Sequence, residues 1–78
     1  MISATRMLCQ KYTDLTDREI SHIESYHDLL PALANAEEAD VFIDCRTSTG
    51  RSAIVVCEAK PQTVPSNYKG TILGMLIQ

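Results

Sequence analysis

The 78-residue sequence has no Cys-x-x-Cys pair, no His-x-x-x-His spacing, no basic block, and no apolar run long enough to cross a bilayer. Each absence removes a class of function. Without paired ligands at helical or knuckle spacing there is no metal-site signature, since the five residues from His22 to His27 rotate the two imidazoles onto different helix faces. Ten Asp and Glu against seven Lys and Arg give a formal charge of −3, the wrong sign for a nucleic-acid surface. The three cysteines cannot all pair, and no basic start with a long apolar core opens the chain. That composition reads as a cytoplasmic protein with reduced thiols rather than a disulfide-framed secreted one.

Catalytic signatures are missing as well. Ser48, Ser52 and Ser66 lie outside any nucleophile-elbow glycine pattern, and no Gly-Lys-Ser/Thr follows Gly70 or Gly74. Cys45 and Cys57 sit in apolar strand sequence with no histidine near them in the chain, and Cys9 lies in helical sequence; all three read as small hydrophobes. The segment His27-Asp28-Leu29-Leu30-Pro31 is similar to the phospho-acceptor box of a histidine kinase dimerisation helix. Its proline comes one residue early, and the intervening basic residue with Thr or Asn is missing, so His27 reads as a half-buried helix-end histidine.

What is present describes one small domain over residues 1–78, 45% apolar, short enough to bury only about 60% of its unfolded surface. The chain ends in its most apolar stretch, Ile72-Leu73-Gly74-Met75-Leu76-Ile77, with Gln78 after it. Domain termini are usually polar, so this reads as the front of a longer domain.

Charge and periodicity split the chain. Residues 1–39 carry three basic and seven acidic side chains and suit helices, whereas residues 40–78 carry four and three and suit strands. Ser3 can cap a first helix to about Lys11, with Met7 and Leu8 among its apolar positions and Arg6 and Lys11 outward. Thr16-Asp17-Arg18-Glu19 is a capping box, and Leu15 with Ile20 is spaced as a hydrophobic staple, so a helix starts at Asp17. Its expected stripe is Ile20, Ile23, Tyr26 with His27, and Leu30, ending or kinking before Pro31. A further alanine-rich turn or two follows over 32–39, anchored by Leu33. Val41 to Arg46 and Ala53 to Ala59, separated by turn chemistry over 47–51, predict a β-hairpin. Asp44 and Arg46 should share one face and Ile43 and Cys45 the other; the second strand, apolar on both faces to Glu58, should be covered on two sides. Pro61 and Pro65 make residues 60–67 a loop. Periodicity leaves the tail from Thr71 as strand or helix.

Four ordered stretches carry a family likeness. Leu15-Thr16-Asp17-Arg18-Glu19-Ile20, Ala39-Asp40-Val41-Phe42-Ile43-Asp44, Ala53-Ile54-Val55-Val56-Cys57-Glu58-Ala59-Lys60-Pro61 and Tyr68-Lys69-Gly70-Thr71-Ile72-Leu73-Gly74 resemble the N-terminal sensor domain of soluble bacterial two-component histidine kinases. The resemblance implies an α+β, GAF-like fold, present here in part, with N-terminal helices packed on an antiparallel β-hairpin or sheet. It also implies further strands beyond this chain that complete the sheet. Downstream it implies PAS and kinase domains in the parent chain, homodimerisation, and a response regulator with an RNA-binding antiterminator domain.

On that basis the chain is expected to be a non-enzymatic signal-input module that binds a small molecule or a partner and biases an ATP-dependent kinase, with no cofactor, metal, nucleic acid or membrane. Glu58, Lys60 and Tyr68, placed where the second strand meets the loop, are the expected ligand-facing residues. The other reading is a stand-alone dimerisation module that adds strands across the open hairpin edge, with the apolar tail as contact.

Overall fold

A computed structural model describes residues 2–62 and 70–78. Three helices, α1 (Ala4–Tyr12), α2 (Asp17–Glu24) and α3 (Leu30–Glu37), precede an antiparallel sheet of β1 (Val41–Arg46), β2 (Ala53–Ala59) and β3 (Leu76–Ile77), in spatial order β1-β2-β3. The expected α+β architecture is the one observed.

The helix starts follow the local chemistry. Ser3 accepts the Arg6 N–H at 3.0 Å, and the capping box closes both ways: Glu19 N–H donates to Thr16 Oγ1 at 3.1 Å and Thr16 N–H to Glu19 Oε1 at 2.9 Å. Pro31 departs from expectation. It sits in the first turn of α3, where its missing N–H would be unbonded anyway and its fixed φ suits the helix, so it starts a helix rather than ending one. The chain leaves α2 six residues earlier, through residues 25–29. There Tyr26 N–H to Ile23 O and His27 N–H to Glu24 O tighten the backbone to i→i−3 bonds, both at 3.0 Å. The stripe read as one helix is therefore divided between α2 and α3.

Two anchors also change. Leu33 is 47% exposed, and α3 buries Leu30 and Ala34 instead, one turn apart on the same face. In α1, Met7 is 59% exposed and Arg6 turns toward α2, while Thr5 and Cys9 face the core. That core joins Cys9, Ile20, Ile54 and Val56, with Leu8, Tyr12, Leu15, Ile23, Ile43 and Cys45 packed around it.

The hairpin takes the expected bounds, and β1 alternates as read, with Asp44 and Arg46 exposed and Ile43 and Cys45 half-buried. Ile54, Val55, Val56 and Cys57 are buried because β2 is the central strand. The register skips Val56, between Ile43 opposite Cys57 and Asp44 opposite Val55, which makes a β-bulge. The hairpin turn closes through Thr47 N–H to Ser52 O at 2.9 Å, with Gly50 at φ +75°, and Ser48 N–H ties its tip to Tyr12 O at 2.8 Å. Of the tail from Thr71 only Leu76–Ile77 is strand: Gly74, at φ +83°, turns the chain so that β3 pairs with β2.

Candidate functional site

The expected ligand face is built where β2 ends. Glu58 and Lys60 both reach across to the returning chain. Glu58 accepts the Ile72 N–H at 3.1 Å and the Thr71 hydroxyl, and the Lys60 ammonium donates to Gly70 O. On the outgoing side Gln62 N–H donates to Asn35 Oδ1 of α3 at 2.7 Å. Side chains of β2 and α3 thus hold both stems of the connection between Gln62 and Gly70. Tyr68 lies outside the described residues. Sequence reasoning placed Glu58 and Lys60 at the strand end but missed Asn35, because a single asparagine in alanine-rich helical sequence carries no long-range signal.

Beside Glu58, a cavity of about 110 Å³ opens between the start of α1 and β2, lined in part by Ser3, Thr5, His27 and Cys57. Here the fold brings together two residues that sequence separated: His27 Nδ1 lies 3.8 Å from Cys57 Sγ. The pair does not make an activated thiol. Burial pushes the Cys57 thiol up, against smaller opposing effects from Thr5 and the Glu58 backbone. Burial, followed by the neighbouring Cys45, pushes Cys9 up to about 11, and burial raises Cys45 as well. Thiols held protonated are poor nucleophiles. His22 is engaged elsewhere, edge-on to the Tyr26 ring with centroids 5.3 Å apart.

A second, larger hollow of about 510 Å³ lies between α3 and β1, walled by Tyr26, Leu30, Leu33, Val41, Phe42 and Ile43, with Asp40 its one charged lining residue. It is almost wholly apolar and wide open. In the helical layer, Arg6 staples α1 to α2. Its guanidinium meets Glu24 Oε1 at 2.8 Å, Ser21 Oγ at 2.7 Å and Asp17 Oδ1 at 3.3 Å, and Ser3 Oγ donates to the other Glu24 oxygen. The Ser3 and Arg6 hydrogen bonds lower the Glu24 carboxyl below its ordinary value.

Among the described residues no helix is long and apolar enough to cross a membrane. A family model described as the GAF domain of histidine kinase PdtaS matches residues 6–78. The chain is similar in structure to a solved sensor region of a sensor histidine kinase, with a TM-score of 0.86 over 97% of this chain at 21% identity. It spans 28% of that protein's length. No curated protein matches in sequence.

Proposed function

Because the chain belongs to the family of histidine kinase PdtaS GAF domains, we propose that it is the signal-input domain through which a small molecule or partner biases such a kinase. The observation that carries this reading is the family match over nearly the whole chain, supported by the likeness in fold to a solved sensor region of a sensor histidine kinase. The domain supplies no chemistry of its own. It acts by binding one conformation of the sensor better than another, which is the only way a ligand can shift an equilibrium.

The proposed ligand-facing residues are Glu58, Lys60 and Tyr68. The first two now hold Gly70, Thr71 and Ile72, so a polar ligand that takes over either hydrogen-bonding partner releases Gly70 to Ile72 from the end of β2, while Gln62 stays bonded to Asn35 of α3. The parent would carry PAS and kinase domains downstream, act as a cytoplasmic homodimer and pass its phosphoryl group to a response regulator.

Autophosphorylation of the parent kinase, with this domain present and deleted, tests the first part: a several-fold change is expected, and equal activity refutes an input role. Lys60→Ala and Tyr68→Phe test the second. If ligand-dependent autophosphorylation is unchanged in both, these residues do not face the ligand.

A further inference from the structure

We draw no further inference here: the strongest candidate, the apolar hollow of about 510 Å³ between α3 and β1, carries none because nothing among the described residues shows what covers it.

Discussion

The Thr5 hydroxyl of α1 donates to the main-chain carbonyl of Val56 at 2.6 Å, and Val56 is the residue that the β1–β2 register skips. A bulge leaves its extra residue outside the ladder, and a buried unpaired carbonyl is costly. The first helix therefore completes the hydrogen bonding of the central strand, which fixes how α1 lies on the sheet.

Thr5→Val keeps the shape and removes the donor. It should destabilise the domain by about 1–3 kcal/mol, because the carbonyl stays buried. Thr5→Ser, which keeps the hydroxyl, should recover most of this. Urea unfolding with an unchanged m value is the check.

Glu38 ends α3 in the left-handed region at φ 53°, with Ala39 N–H bonded to Ala34 O at 3.1 Å. A side chain there costs about 1–2 kcal/mol, part of which glycine gives back through its freer unfolded chain. Glu38→Gly should raise stability by a net of roughly 0.5–1 kcal/mol, and Glu38→Ala should not. Thermal melts of the two variants separate backbone strain from loss of the carboxylate.

Stability should fall in acid through Glu24 and Glu19. Both carboxyls are lowered in the folded domain, Glu24 by Ser3 and Arg6 and Glu19 by the Thr16 backbone N–H followed by its hydroxyl. A depressed folded value means that the unfolded chain takes up protons first. Their contribution is therefore complete above the ordinary value of 4.5 and is lost as pH drops through the folded values below it. Unfolding free energy measured from pH 6 to pH 3 should decline, and Glu24→Gln should show a shallower decline.

The thiols should react slowly in the folded protein. With Cys9 pushed up to about 11 and Cys45 and Cys57 also raised, a thiol-disulfide reagent at neutral pH should label them at rates that follow unfolding. Rapid labelling of Cys57 in the native protein would show that His27 activates it after all.

Wherever the physics is local, the sequence alone was decisive. The capping box at Thr16 and Glu19, the Ser3 cap, the hairpin bounds and the face alternation of β1 follow from neighbouring residues satisfying each other's hydrogen bonds or from side chains alternating across a strand. Pro31 shows the boundary of that reach: a proline is compatible with the end of one helix and the start of the next, and only the turn over residues 25–29 selects the second. The tertiary structure alone decided which face of α1 is buried, that Ala34 rather than Leu33 anchors α3, that Arg6 turns to Glu24, and that His27 meets Cys57 across 30 residues. Those choices depend on contacts distant in the chain, whose pairing no short window of sequence encodes. The ends of the connection at Glu58, Lys60 and Asn35 belong to the same class, since each hydrogen bond there joins residues that meet only after the sheet has formed.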